Sequence, residues 1–155
     1  MPDIPLQPQK HRINPQEREA FLSWLWQFLA ERRTLILATC NDSAPTCNLM
    51  GFVLASEECS LALATPRETA KHRAMLQNPS VSLMALDAPA LEQDLDRGTA
   101  VTLDGETVEI RGASEREQWE IAFTKANPRL EDFVKSPQSA LFRVDLSRVV
   151  SVTNF

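Results

Sequence analysis

The sequence contains no tyrosine, 4 glycines and 2 histidines, and each of these shortages excludes a kind of site. A glycine-rich loop that cradles a nucleotide phosphate needs more glycine than this chain has. Neither His11 nor His72 lies at the spacing of a metal-ligand or catalytic motif. If the chain is an enzyme, we therefore expect a bound cofactor to supply its reactive group.

Cysteine usage, hydropathy and charge restrict the compartment and the partners. Cys40, Cys47 and Cys59 have no C-x-x-C spacing, so we expect free thiols in a reducing cytoplasm and no metal site. No run reaches the roughly 20 apolar residues that cross a bilayer, and the N-terminus lacks the apolar core of a secretory signal. A net charge of −5 disfavours nucleic acid as a partner but still allows a local site for one small anion.

What is present fits one folded domain. The chain has 155 residues, of which 43% are apolar and 24% are charged, as is usual for a globular protein. Residues 1–13 contain three prolines and no apolar periodicity, so we predict a flexible N-terminal arm and a single domain over residues 14–155.

Hydrophobic periodicity predicts an opening helix and about six strands. The helix runs from Asn14-Pro15 to about Arg32, with Trp24 on its apolar stripe and Trp26 over a barrel mouth or a partner chain. The strands are predicted at 34–40, 46–55, 60–65, 80–86, 99–112 and 139–155. The last of these is either a strand pair or one long bent strand, and at Asp104-Gly105 we expect either a hairpin turn or a bulge.

The connections complete the expected fold. Glu57-Glu58 is predicted as a turn, and the acidic stretch 87–98 as a loop. Further helices are predicted from Arg67 to Gln77 and from a capping box at Ser114 to Ala126. Because the strands outnumber the helices and follow each other closely, the pattern predicts a mainly β fold, a small closed barrel with peripheral helices.

The most suggestive segment for binding lies where the third strand meets the second helix. The predicted first turns of that helix contain three basic residues and a hydroxyl: Arg67, Thr69, Lys71 and Arg73. Cations, a hydroxyl and free backbone amides at a helix N-terminus form a physical phosphate site. The alternative is a solvated basic face, which is the commoner role of such residues.

The order of these elements resembles the pyridoxamine-phosphate-oxidase-like, FMN-binding split-barrel flavoproteins. The resemblance runs from about Leu22 to Phe155 and includes strands like 34–39 and 61–65, a Pro-containing turn and strand like 43–53, and an F-R-V start to the closing segment 141–155. Its T-x-K and N-P spacing falls on Thr69, Lys71, Asn78 and Pro79.

The resemblance implies a homodimer that binds FMN at its interface and acts as an oxidoreductase on a small molecule. It places the FMN phosphate on Thr69 and Lys71 with help from Thr65. It places the flavin ring and ribityl chain along the following four residues: Asn48, Leu49, Met50 and Gly51. A basic residue is common in the family where this chain has Ala70, and Arg67 is our candidate for the missing charge.

The sequence also allows other substrates, functions and cofactors. The chain ends at Phe155, where the true oxidases continue into a basic substrate-binding tail, so we expect a different substrate. The same barrel serves non-catalytic flavin carriers or redox sensors, and haem- or deazaflavin-binding relatives. We expect Cys40 and Cys47 to be small core residues, and His72 to lie at the surface or near the phosphate.

Overall fold

The computed structural model of the chain describes residues 15–55, 60–91 and 97–153. Several sequence predictions lie outside these residues and stay predictions. They concern the N-terminal arm (1–13), the cap at Asn14, the turn at Glu57-Glu58, residues 92–96 of the loop predicted at 87–98, and Cys59 and Phe155. The loop prediction was wrong at Ala88–Leu91, which form a short helix.

Six antiparallel strands form a closed barrel in the order β1-β2-β3-β6-β5-β4, which confirms the predicted mainly β class. The strands are β1 (Thr34–Asn41), β2 (Ala44–Ala55), β3 (Ser60–Pro66), β4 (Ser80–Leu86), β5 (Thr99–Glu109) and β6 (Ser139–Thr153). The helices are α1 (Pro15–Ala30), α2 (Ala70–Gln77), α3 (Ala88–Leu91), α4 (Ala113–Ala126) and α5 (Glu131–Lys135), with a 3₁₀ turn at Pro128–Leu130. No helix in the described ranges is long and apolar enough to span a membrane.

The β1–β2 hairpin turns on two residues. Asp42 and Ser43 have positive φ angles of 47° and 66°, as in the type I′ turn that matches the twist of a two-stranded hairpin. Pairing therefore begins directly beyond the turn, at Asn41↔Ala44. As a result β2 starts two residues before the predicted Thr46 and includes Pro45.

The barrel is split along β2. Residues 52–55 of β2 pair with residues 60–63 of β3, whereas residues 44–51 pair with β1 and have no second partner strand among the described residues. Their other edge is therefore open, so backbone groups there are free of the ladder. This open edge also explains why Pro45, which cannot donate a ladder hydrogen bond, is tolerated.

A bulge, not a hairpin turn, accounts for the irregularity at Asp104-Gly105. The pairing of β5 with β6 shifts register between these two residues, and both strands continue past it. A Cβ on Gly105 would lie 2.5 Å from the backbone oxygen of Asp145, so the two backbones approach too closely for any side chain. The closing segment is accordingly one long strand.

The core fills the barrel and its two ends. Leu25, Phe28 and Leu29 of α1 and Met75 of α2 join the inward side chains of the strands. Trp24 is 37% exposed, so its placement on the buried stripe was wrong: the stripe is centred on Leu25, one residue further along the helix. Trp26, in contrast, packs against the core.

Two local predictions also need correction. Helix α4 begins at Ala113, and its N-cap is Gly112 without a side-chain hydrogen bond, so Ser114 does not cap it. Cys47 is exposed and Cys40 only half-buried, so neither is a fully buried core residue. Both lie on the outward-facing side of the β1–β2 ladder, since they alternate with the buried Thr39 and Met50.

Candidate functional site

The turn between β3 and α2, residues 67–69, is held by a dense set of polar contacts. Helix α2 begins at Ala70 rather than at the predicted Arg67, because Glu68 has a left-handed φ of 64° that breaks the helical path. Thr69 is the N-cap, and its Oγ1 accepts a hydrogen bond from the His72 amide at 3.3 Å. The helix N-terminus therefore opens directly beside the end of β3.

Several donors converge at this helix start. The amides of Ala70 and Lys71, in the first turn, have no carbonyl within the helix to donate to. Lys71 follows one residue after the start, is half-buried, and makes no ion pair or hydrogen bond with any residue that the structure describes. Free amides, a positive helix dipole and a free ammonium group suit one small anion.

The hydroxyl groups of Thr65 and Thr69 stabilise the turn before α2. Thr65 is fully buried, and its Oγ1 lies 3.3 Å from Oγ1 of Thr69. The Thr69 hydroxyl donates to the Pro66 carbonyl at 3.0 Å. Their hydroxyls are thus already used to hold the turn, which leaves the amides and Lys71 as the donors without a partner among the described residues.

Arg67 and Arg73 are engaged elsewhere. The Arg67 side chain donates to the Pro137 carbonyl at 3.1 Å and to Oε1 of Glu109 at 2.6 Å. Its backbone amide donates to the Gln138 carbonyl at 2.8 Å. The Arg73 guanidinium donates to the Glu68 carbonyl. Arg67 therefore ties the turn to the segment before β6, and only its outer amino group is left for a ligand.

Glu109 anchors Arg67 from the end of β5. Its side chain is 7% exposed and forms ion pairs with Arg67 and Arg111. Burial raises the pKa of the Glu109 carboxyl, but the hydrogen bonds and charges of the two arginines outweigh this, so the pKa lies below the usual range for a glutamate. These side chains line a groove of about 420 Å³ together with Arg116.

The predicted flavin-contacting strand has two different faces. Met50 is buried in the barrel core and Asn48 is half-buried, while Leu49 is 72% exposed. Leu49 and Gly51 face outward with Thr34 and Ile36 of β1. A Cβ on Gly51 would meet only the Arg33 carbonyl oxygen at 3.8 Å, so packing within the chain does not require glycine at this position.

The split in the barrel begins where this strand leaves β3. The ladder between β2 and β3 ends at Phe52↔Leu63. If the register continued, Gly51 would lie opposite Ala64 and Met50 opposite Thr65. The open edge of β2 and the N-terminus of α2 therefore lie at the same end of the barrel, on the two sides of the split.

His72 was predicted either at the surface or near the phosphate. Its side chain is buried, 7% exposed, so the surface alternative was wrong, and the position near a phosphate stays a prediction. Its Nδ1 accepts the Glu68 amide at 3.2 Å. The available signal was its spacing of three residues from Met75, which puts both on the inward side of α2.

These features define a class: a split β-barrel in which an open strand edge and a helix N-terminus lie at the same end of the barrel. The sequence model of the family described as pyridoxamine 5′-phosphate oxidase matches residues 25–153. Since the match spans most of the chain, the protein belongs to the pyridoxamine 5′-phosphate oxidase family. No curated protein sequence matches the chain.

Solved structures show the same fold. Campylobacter jejuni ChuZ superimposes with a TM-score of 0.76 at 14% identity, covering 88% of this chain and 57% of that one. An FAD-binding protein from Mesorhizobium loti gives 0.65 at 18% identity, over 81% and 89% of the two chains. HutZ, a haem storage protein from Vibrio cholerae, gives 0.65 at 20% identity, over 92% and 95%.

Proposed function

We propose that this protein is an FMN-binding oxidoreductase that holds the cofactor's phosphate at the N-terminus of α2. The observation that carries the proposal is Lys71, which has no partner among the described residues, among helix amides that lack an acceptor within α2, at the end of the barrel where β2 leaves β3. Family membership supports a flavin as the ligand with a phosphate at one end. A similar fold in a flavin-binding protein supports it further.

The residues present fit such a ligand. A phosphate ester needs several donors at one point, and the amides of Ala70 and Lys71 together with the Lys71 ammonium provide them. A flat ring with polar edges needs backbone partners and an apolar wall. The free edge of β2 offers the partners, and the exposed Leu49 offers the wall.

Each residue then has its own role. Lys71 supplies the main positive charge, and Thr65 and Thr69 hold the turn that presents the amides. The flavin ring lies along four residues of β2: Asn48, Leu49, Met50 and Gly51. Met50 contributes its backbone, because its side chain is in the core. Ala70 offers no charge, and Arg67 compensates weakly because Glu109 and Pro137 hold most of its guanidinium.

Bound FMN would supply the redox chemistry, since a flavin takes up or releases a hydride at N5. The chain's contribution is to bind the phosphate, orient the ring along β2 and exclude water from one side of it. We place this reaction in the cytoplasm, where the unpaired thiols of Cys40 and Cys47 remain reduced.

We further propose that the site is completed by a second copy of the chain. An apolar row crosses the outer face of five strands, linked by the pairs Ile36↔Leu49, Ile36↔Met84, Met84↔Thr102 and Thr102↔Val150. Leu49, Met84 and Val150 are 72%, 39% and 36% exposed. This row begins at Leu49 of β2, the strand along which we propose that the flavin ring lies. A second copy of the chain packed on the row would therefore also cover the ring.

Replacement of the free lysine tests the phosphate assignment. Lys71→Ala removes a charge-assisted contact of about 1.5–3 kcal/mol, so the Kd for FMN should rise by about 10- to 150-fold. Lys125→Ala, at the end of α4, is the matched control and should leave the Kd unchanged. FMN fluorescence quenching measures both. Equal affinity in wild type and Lys71→Ala would refute the assignment.

The absorption spectrum of the purified protein separates the competing cofactors. A flavin gives a band near ~450 nm, whereas haem gives one near ~400 nm. Bound FMN without turnover by NADH, NADPH or a quinone would indicate a carrier or redox sensor instead of an enzyme. A haem band, or exclusive binding of a deazaflavin, would replace the FMN proposal.

A further inference from the structure

His72 makes an unusual set of contacts for a residue within a short amphipathic helix. Its imidazole is buried between α2 and β6, where it meets the ring of Phe142 in a T-shaped arrangement with centroids 5.7 Å apart. Nδ1 accepts the Glu68 amide at 3.2 Å. Nε2 is buried and has no hydrogen-bond partner among the described residues.

The acceptor role of Nδ1 fixes the tautomer. In a neutral imidazole one ring nitrogen accepts and the other carries the proton, so here the proton lies on Nε2. A buried N–H without an acceptor is costly, and the edge-on contact with Phe142 offers only weak compensation. The polar bond that this buried ring makes with the described residues is therefore the one at Nδ1, to the Glu68 amide.

The bond from Glu68 to His72 is one of several that hold the turn in shape, and it is the one made by the Glu68 amide. Glu68 occupies left-handed space, which is unfavourable for a residue with a side chain. Accepting its amide inward stabilises that conformation, and the next residue, Thr69, then caps α2 through the His72 amide. Both ends of His72, ring and backbone, therefore brace the same two residues.

We propose that His72 is a positioning residue for the phosphate site: its Nδ1 holds Glu68 and Thr69 so that the first amides of α2 and Lys71 converge on one anion. This rests on the proposed function only for the identity of the anion as the FMN phosphate. His72 itself is buried and does not touch the ligand.

The test compares ligands with and without a phosphate. His72→Leu removes the acceptor, and His72→Asn restores one near the position of Nδ1. His72→Leu should weaken FMN binding by about five- to tenfold while leaving riboflavin affinity within about twofold, and His72→Asn should recover most of the loss. Met75→Ala is the matched control: it removes packing from the same side of α2 and should leave the ratio of FMN to riboflavin affinity unchanged.

A second readout does not depend on flavin. In the protein without ligand, amide hydrogen exchange at Glu68 should be at least tenfold slower in wild type than in His72→Leu. Inorganic phosphate should shift the amide signals of Ala70 and Lys71 in wild type more strongly than in His72→Leu.

The outcomes distinguish this proposal from the function it builds on. A protein that binds phosphate in a His72-dependent way but binds no flavin would refute the FMN assignment and keep the positioning role. If His72→Leu changes FMN and riboflavin affinity equally, or leaves both FMN affinity and Glu68 exchange unchanged, the positioning role is overturned. Failure to bind either phosphate or flavin would overturn both.

Discussion

At the scale of single residues, the charges near the proposed site divide into those that hold structure and those left for a ligand. Arg67 was predicted as a phosphate contact from its place in the sequence, two residues before Thr69. The structure shows its guanidinium committed to Glu109, 42 residues away. Such a partner cannot be predicted from local sequence, because the pairing of β3 and β5 with the same strand, β6, brings the two residues together.

The same ion pair leads to a pH-dependent prediction. The pKa of Glu109 is lower in the folded chain than in the unfolded chain, so its stabilisation is present above the unfolded pKa and is lost as the pH falls through the folded one. Glu109→Gln should lower the free energy of unfolding by about 1–2 kcal/mol at pH 7, at the low end because Arg111 is 77% exposed. The deficit should shrink steadily below about pH 4.

Urea unfolding of both proteins at pH 7 and near pH 3.5 measures this difference. Glu131→Gln removes an exposed carboxylate that pairs with Lys135, and as a control it should cost less than about 0.5 kcal/mol at pH 7. A Glu109→Gln deficit that grew on acidification would contradict the assigned sign.

At the scale of elements, the strands were easier to predict than the helix ends. β4 was predicted at 80–86 and is found at Ser80–Leu86, because an alternating apolar pattern and the preceding Asn78-Pro79 both mark its start. The start of α2 was missed by three residues. The residue types at Arg67 and Glu68 do not predict a left-handed conformation at Glu68, and the contact of its amide with the buried His72 ring appears only in the structure.

The bulge in β5 gives a prediction at this scale. Gly105→Ala places a methyl group 2.5 Å from the Asp145 backbone oxygen, so one of two paired backbones must move and unfolding should become easier by about 1–3 kcal/mol. Gly51→Ala is the matched control, since its new Cβ meets only an oxygen at 3.8 Å, and should change stability by less than about 0.5 kcal/mol. Thermal or urea unfolding measures both, and equal stabilities for the two variants would show that the bulge tolerates a side chain.

At the scale of the whole molecule, the closed mainly β barrel was predicted from the pattern of strands and helices, and the pyridoxamine 5′-phosphate oxidase family from a resemblance in the order of these elements. The apolar row on the outer face of the barrel could not be predicted from the sequence. Leu49, Met84 and Val150 lie on three strands far apart in sequence, and only the register of the barrel aligns them. The sequence of any single strand therefore does not predict this surface, because residues from several strands form it.

The row predicts the oligomeric state. Met84→Glu puts a charge in the middle of the proposed interface, so the dimer should dissociate and FMN affinity should fall with it. Ile121→Glu, on α4, also replaces an exposed apolar residue, one that is 61% accessible, and should leave the dimer intact. Size-exclusion chromatography with light scattering reads both. A monomeric wild type, or equal behaviour of the two variants, would contradict the interface.

The central claim is that the start of α2 holds the phosphate of a flavin lying along β2. A crystal structure of the protein with FMN tests it most directly. The account predicts the phosphate within hydrogen-bonding distance of Lys71 Nζ and the amides of Ala70 and Lys71, with the ring beside Leu49 and Gly51. A flavin found elsewhere, for example with its phosphate in the groove beside Arg111, or no bound flavin at saturating concentration, would contradict it.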